Sequence, residues 1–381
     1  MKIELTVRQQ QRKDRFRLFA DTHIAPVAGD FDRQEAITDE VVELVARNGL
    51  LGSHLPTEHG GRGFDMISYG LLHEALGRAC SSTRSLLTVH DMVCEAILRL
   101  GNAQLRQAWL PVLASGKKIG AFALTEPEVG SDAGSLQTTA TQDGDDYVLN
   151  GRKKWISFAQ LADVFLVVAR VGRGGPIGGF LVPADAPGLT VTPITGMLGL
   201  RASMLGELDL TACPVPSSAR VGPAKMPSGL VVATALQLGR YSVAWGCVGI
   251  GEACLEASFR YSETREQFGV PISKHQLIRR MLTNMLTDVR AARLLCYEAG
   301  YLAQDRKPGT VEATLIAKYF SSRMATRVAG DAVQLHGASG GSAEQPVERY
   351  FRDARLMEII EGSTEIQQIT IPKYGRQAYA D

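Results

Sequence analysis

The spacing of apolar residues changes twice along this chain, and those two changes limit its fold more than any other feature. From Glu4 to about Ser115 apolar positions recur every three to four residues, which predicts helices over 5–27, 37–48, 66–79, 85–100 and 103–113, broken by turns such as Gly60-Gly61-Arg62-Gly63. Between about Ile119 and Pro223 the apolar runs shorten. Residues 163–170 read as a buried strand, 178–183, 189–192 and 207–210 continue the set, and Asn150-Gly151 reads as a hairpin turn. Helical spacing returns after Ser228, at Ile278, Met281, Leu282, Met285 and Val289 and again at Ile316, Phe320, Met324 and Val328. The expected class is α+β: an N-terminal helical domain over 1–118, a middle β domain over 119–226 and a C-terminal helical domain over 227–381. Gly246, Gly249 and Gly251 fall inside an expected helix, where each costs about 1 kcal/mol relative to Ala. Either close helix packing or a backbone surface for a cofactor or partner subunit has to offset them. Pro372 should kink or end the helix that follows residue 361.

With 381 residues, 45% of them hydrophobic, the chain can bury a large core. Its 41 basic and 40 acidic residues leave a net charge of +1 with no basic run, so no nucleic-acid partner is expected. Cys80, Cys94, Cys213, Cys247, Cys254 and Cys296 are scattered, without a CxxC pair or a His at ligand spacing. That pattern argues against a zinc site and a disulfide framework, and it fits a reducing cytoplasm. His90, His275 and His336 read as structural, since no metal-ligand cluster or nucleophile–base pair includes them. Mixed charges follow Met1-Lys2-Ile3-Glu4, and no apolar run approaches the roughly 18 residues that span a bilayer. Neither an export signal nor a membrane segment is expected.

Late in the chain, Glu358-Ile-Ile-Glu361-Gly362-Ser363-Thr364-Glu365-Ile366-Gln367 sets a carboxylate on a glycine hinge just before a helix start. Thr364 and Gln367 have capping-box spacing, and Ser363 or Thr364 can accept the first free N–H groups, so Glu361 should lie near the positive end of a helix. Met357, Ile359 and Ile360 would raise its pKa toward the range of a general base if they line the same pocket. A surface Glu at a helix entrance has the same local pattern, so other motifs must decide. The stretch Phe122-Ala-Leu124-Thr125-Glu126-Pro127-Glu128-Val-Gly130-Ser131-Asp132 gathers hydroxyls and free N–H groups in a loop able to cradle a ring or a pyrophosphate. Trp155 and Ser157, two residues apart, share a strand face.

Together these segments resemble the acyl-CoA dehydrogenase family, with the order of motifs matched across almost the whole chain. The matching residues are Leu124-Thr125-Glu126-Pro127-x-x-Gly130-Ser131-Asp132, Asn150-Gly151-x-Lys-x-Trp155-Ile156-Ser157, and Thr264-Arg265-x-Gln267-Phe268-Gly269 with His275-Gln276. They continue through Gln334-Leu-His-Gly337-x-x-Gly340, Arg352-Asp353-Ala354 and Ile360-Glu361-Gly362. The resemblance implies an FAD enzyme with a helical domain, a β-barrel-like domain and a C-terminal four-helix bundle. It assigns Leu124 and Thr125 to the flavin pyrimidine, Gly130 and Ser131 to the pyrophosphate loop, Trp155 to the ring and Ser157 to its N5 edge. Arg265, Gln267, Phe268, Gln334, Gly337 and Gly340 are assigned to the FAD of a neighbouring subunit, which implies a homodimer or homotetramer. Thr364 and Glu365 match positions near the phosphate or adenosine end, where a Glu is unfavourable unless turned away, so Thr364 is the better contact; Ser363 is counted with it among the cofactor-binding residues. Glu361 is the implied base, taking the proton alpha to a thioester carbonyl while hydride leaves the beta carbon, and Arg240 positions the thioester arm or Glu361.

Two positions depart from the usual pattern. Gln237 stands where an acidic residue is common three positions before Arg240, and Ile360 stands where Tyr is common before the base. Both face the acyl or pantetheine channel in the family, which counts against a standard fatty acyl-CoA. The segments Cys80-Ser81-Ser82-x-Arg84-Ser85, Gly239-Arg240-x-Ser242-Val-Ala-Trp245-Gly-Cys247 and Arg352–Ser363 are most similar to the branch that acts on acyl-carrier-protein thioesters in hydroxymalonyl and methoxymalonyl biosynthesis for polyketides. That likeness implies oxidation of a glyceryl-derived semialdehyde toward 2-hydroxymalonyl on a carrier protein. The alternatives are a short- or branched-chain acyl-CoA dehydrogenase, a flavin oxidase or monooxygenase, and a silent flavoprotein scaffold for an acyl carrier, against which the presence of Glu361 argues. The electron acceptor is an electron-transfer flavoprotein or oxygen.

Overall fold

A computed structural model describes residues 4–379. The first block is helical: α1 (Val7–Phe19), α2 (Ala28–Gln34), α3 (Asp39–Arg47), α4 (Met66–Ala79), α5 (Ser81–Leu100) and α6 (Ala103–Ala114). Thr6 starts α1 with a full capping box, accepting from the Gln9 N–H at 3.3 Å while the Gln9 side chain accepts from its own N–H at 3.0 Å. The single helix expected over 5–27 is broken by a π turn at Ala20–Ile24 and a 3-10 turn at Ala25–Val27. Pro26 supplies the reason, because it has no N–H for the helical ladder.

The middle block has β1 (Gly120–Ala123), β2 (Thr139–Asp143), β3 (Asp146–Ile156), β4 (Val164–Val171), β5 (Ile177–Pro183), β6 (Leu189–Pro193), β7 (Gly206–Val215) and β8 (Arg220–Val221). They form one eight-stranded sheet in the order β6-β7-β3-β2-β4-β5-β8, with β1 parallel to β4. The expected hairpin at Asn150-Gly151 does not exist. β3 runs through both residues, the turn lies at Gly144, and the register with β7 shifts between Leu149 and Gly151. The cause is tertiary: Asn150 Oδ1 accepts from the Ala212 N–H at 2.8 Å, and a Cβ on Gly151 would sit 2.7 Å from Thr138 Cα.

The last block contains α7 (Leu230–Thr264), the two-residue strands β9 (Glu266–Gln267) and β10 (Val270–Pro271), α8 (Gln276–Gln304), α9 (Thr310–His336), α10 (Val347–Met357) and α11 (Thr364–Tyr379). α7 runs through the core and packs against α4, α5, α8 and α9. Its glycines are there for closeness. A Cβ at Gly249 would lie 2.2 Å from the Glu74 carbonyl oxygen, one at Gly251 2.7 Å from Val289, and the Gly77 position on α4 meets the Gly246 carbonyl at 2.6 Å. Backbone-to-backbone packing therefore offsets their low helix propensity. α11 continues past Pro372 rather than ending there. Among the described residues no helix is long and apolar enough to cross a membrane. One buried triad, His90, Asp91 and Cys94, lies within ligand distance, but His90 Nδ1 accepts from the Gly120 N–H at 3.2 Å and Asp91 from the Gly52 N–H at 2.8 Å. Those bonds tie α5 to its neighbours.

Candidate active site

Between α10 and α11 the chain turns through two consecutive left-handed residues, Glu361 at φ 53° and Gly362 at φ 93°. That conformation is uncommon for a Glu and marks a constrained position. Four contacts hold the two carbonyls of the turn. Arg240 Nε donates to the Glu361 oxygen at 3.1 Å, Lys318 Nζ donates to that of Gly362 at 2.7 Å, and the Gln367 amide donates to both at 3.4 and 3.2 Å. Gln367 is thus a clamp on the hinge rather than half of a capping box with Thr364. The cap on α11 comes from Ser363, whose Oγ accepts from the Ile366 N–H at 3.4 Å, while Thr364 Oγ1 donates to Glu358 at 3.2 Å.

The Glu361 side chain is half-buried and lies against α7, where a Cβ on Gly239 would come within 3.3 Å of its Cγ and 2.8 Å of Met92 Sδ. Burial pushes its carboxyl above the ordinary value, and the charges of Arg84, Lys318 and Arg240 pull it down. The apolar surroundings come from Met92 and the bare backbone of Gly239. Ile359, expected to contribute, is 53% exposed; Met357 is fully buried and Ile360 half-buried.

Arg84, on α5, is fully buried, and among the described residues no carboxylate lies within ion-pair distance of it. Its Nη1 donates to Thr88 Oγ1 at 2.8 Å and Ser242 Oγ at 3.4 Å, Nη2 meets only the weak acceptor Met357 Sδ at 3.9 Å, and Nε has no partner. Burial lowers its pKa, against the raising influence of Cys247 and Glu361. Its role was not legible from spacing, because the apolar pattern places the helix over 85–100 and leaves Arg84 in the polar segment before it, whereas α5 begins at Ser81. A charge inside a segment buried from Ser81 through Cys94 was the available signal.

Across the sheet, the loop after β1 is held by a buried ion pair. Lys153 Nζ lies 2.7 Å from Glu126 Oε1 and donates to the Leu124 oxygen at 3.0 Å, and Glu126 accepts from the Gln137 and Thr138 N–H groups at 2.6 and 2.9 Å. Leu124 and Thr125 are left half-buried at the loop's rim, with Gly130 and Ser131 exposed. Trp155 sits in the bulge between Lys153 and Ile156 at φ 62°, and 46% of it is exposed. Ser157, half-buried, lies in the turn just past the end of β3, so the strand face expected to carry both residues is interrupted by the bulge at Trp155. A strained, half-uncovered indole beside a loop pinned by the Lys153–Glu126 pair fits a flat aromatic group such as the isoalloxazine of FAD. The residues that would hold it are Leu124, Thr125, Trp155 and Ser157.

The remaining expected site residues fall into two sets. Arg265, Gln267 and Phe268 project on the β9–β10 hairpin, whose turn residues Phe268 and Gly269 both have positive φ; Phe268 is 93% exposed. Gln334 and Gly337 are exposed at the end of α9, whereas Gly340 is buried, with its Cβ position 2.5 Å from the Val333 oxygen, a packing requirement. On the base side, Arg240 meets the hinge, but the Gln237 amide is tied to α9, donating to Thr314 Oγ1 at 2.8 Å. Clefts of about 420 Å³ beside Arg12 and Phe64 and about 620 Å³ beside Leu295 and Phe320 lie elsewhere, so side-chain chemistry and not cleft size locates this site.

The chain is similar to known proteins over almost its whole length. Residues 6–117, 121–213 and 229–374 match the N-terminal, middle and C-terminal domains of acyl-CoA dehydrogenase. The probable acyl-CoA dehydrogenase YngJ of Bacillus subtilis is 39% identical over 98% of this chain and 99% of its own. The mitochondrial short-chain specific acyl-CoA dehydrogenase of Mus musculus is 37% identical over 99% and 92%. Among solved structures, glutaryl-CoA dehydrogenase from Mycobacterium smegmatis in complex with FADH2 superposes with a TM-score of 0.92 at 31% identity, over 99% of this chain and 96% of that one. FkbI, for biosynthesis of the methoxymalonyl extender unit of a polyketide, gives 0.87 at 32% over 96% and 99%, and the prolyl acyl carrier protein oxidase AnaB gives 0.91 at 27% over 97% and 99%. With all three domains matched in order, this chain belongs to the acyl-CoA dehydrogenase family of FAD-dependent oxidoreductases.

Proposed function

We propose that this enzyme oxidises a three-carbon acyl thioester carried on an acyl carrier protein, taking a 2-hydroxy-3-oxopropionyl group, as its aldehyde hydrate, to 2-hydroxymalonyl. The observation that carries this reading is Arg84. A guanidinium buried among hydroxyls and sulfur with no carboxylate partner is costly unless a ligand brings the opposite charge. An aliphatic acyl chain would leave it unmatched. A hydrate losing hydride and proton becomes a carboxylic acid, and a fixed cation stabilises that developing carboxylate. FAD, when bound, supplies the two-electron acceptor for the hydride. Glu361 takes the hydroxyl proton, Arg240 and Gln367 keep its backbone in place, Thr88 and Ser242 orient Arg84, and Trp155 closes one wall against water. The likeness to FkbI and to AnaB supports a carrier-bound substrate. The likeness to short-chain dehydrogenases supports a second reading, desaturation of a short acyl-CoA by the same base.

Anaerobic bleaching of the flavin, compared between the semialdehyde thioester on a carrier protein and butyryl-CoA, separates the two. Rapid bleaching by the carrier-bound semialdehyde is expected. Bleaching by butyryl-CoA alone selects desaturation.

A further inference from the structure

Lys318 lies on α9, fully buried, and among the described residues no carboxylate comes within 4 Å of its ammonium. Its one hydrogen bond is the 2.7 Å donation to the Gly362 carbonyl, immediately after the base. An ammonium in such a place would usually be replaced by an apolar residue unless its charge is used. Here it faces a strained turn that carries Glu361: Glu361 and Gly362 are both left-handed, and their carbonyls accept from Arg240, Gln367 and Lys318. The groups whose charge reaches this spot are Arg84 on α5, Arg240 and Cys247 on α7, and Glu358 and Glu361 beyond α10.

We propose that Lys318 is a positioning residue for the base: its ammonium pins the Glu361–Gly362 hinge through the Gly362 carbonyl, and its charge favours the ionised form of the Glu361 carboxyl. The inference rests on Glu361 being the base. Arg240 and Gln367 hold geometry as well: Gln367 carries no charge, Arg240 donates to the Glu361 carbonyl, and the charged donor on the Gly362 carbonyl is Lys318. Burial lowers the Lys318 pKa to about 8, with Cys247 and Glu361 opposing that. In the folded protein the ammonium is charged at neutral pH and is lost as pH rises through that range, so the support it gives Glu361 should fade on the alkaline side.

The test uses the FAD-loaded enzyme and its K318M, K318R and E361Q variants. The protonated carboxyl of Glu361 is followed by its infrared band across pH, assigned as the band missing in E361Q, and substrate-driven flavin reduction is followed in parallel. In K318M the midpoint of that band should rise by about one pH unit, and the acid limb of the kcat profile should move up with it by the same amount, with KM changed much less. K318R, which keeps the charge, should return the midpoint to its wild-type place. Coincident midpoints in wild type and K318M overturn the role of Lys318. Full turnover by E361Q overturns instead the assignment of the base, so the two failures are distinguishable. If K318M does not fold, K318Q, which keeps a donor for Gly362 without the charge, decides by the same titration: a raised midpoint supports the proposal and an unchanged one overturns it.

Discussion

The side chain of Arg84 lies across Gly246 so closely that a Cβ there would sit 2.5 Å from the arginine Cδ and 2.9 Å from its Nε. A glycine in the middle of α7 is therefore what lets a guanidinium pass beneath the helix toward the base.

Gly246→Ala should overpack this contact and cost about 1–3 kcal/mol of stability, read as a lower urea midpoint. It should also weaken turnover of the carrier-bound semialdehyde. An unchanged midpoint would mean that Arg84 can move aside freely.

Arg84→Met keeps the volume of the side chain and removes the charge. The fold should persist, because a buried charge without a counter-ion contributes little stability. The kcat/KM for the semialdehyde should fall at least about a hundredfold, the size of loss expected when a charge-assisted contact is absent from the transition state. Butyryl-CoA should be affected far less. Equal losses on both substrates would remove the argument for an acidic product.

Glu361→Gln should bind FAD with an unaltered visible spectrum and lose about 10²–10⁴-fold in kcat, the range for removal of a general base. Stopped-flow flavin reduction measures this directly. Stability should change little, since the carbonyls of the hinge, not the carboxylate, carry its hydrogen bonds.

His54 lies in the N-terminal helical domain, 3.8 Å from Asp91 and 3.4 Å from Glu95. Burial opposes its charge, but the two carboxylates prevail and hold its pKa up at about 9. A raised folded-state pKa stabilises below the unfolded value of about 6.5, and that stability is lost as pH rises through 9. Unfolding free energy should therefore decline by a few kcal/mol at most, about 3 by linkage, between pH 6.5 and 9. His54→Gln should flatten that decline in urea melts.

Much of the fold is legible in the sequence because helix spacing and strand runs are local. Residues 66–79 were expected as a helix and form α4 over that span, and 163–170 differ from β4 by one residue. The errors share a cause. Asn150-Gly151 has the local chemistry of a turn, and only the approach of Thr138 and Ala212 makes it a bulge; α11 survives Pro372 for reasons beyond its own residues. In the site, Glu361, Arg240 and the loop before β2 stand in sequence motifs, whereas Lys318 stands in none and Arg84 only in a segment similar to the carrier-protein branch, with no role attached. Each is a lone basic residue in a helix, and its meaning appears only when α5, α7, α9 and the hinge come together.

That convergence has a kinetic consequence. Arg84 and Met357, in contact through guanidinium and sulfur, are 273 residues apart in the chain. Closing so long a loop costs chain entropy before any contact rewards it, and such pairings form late. A nascent chain can collapse its first helices and its sheet on the ribosome while the pocket stays unmade, so premature truncation before the last two helices leaves a shape without a reactive centre.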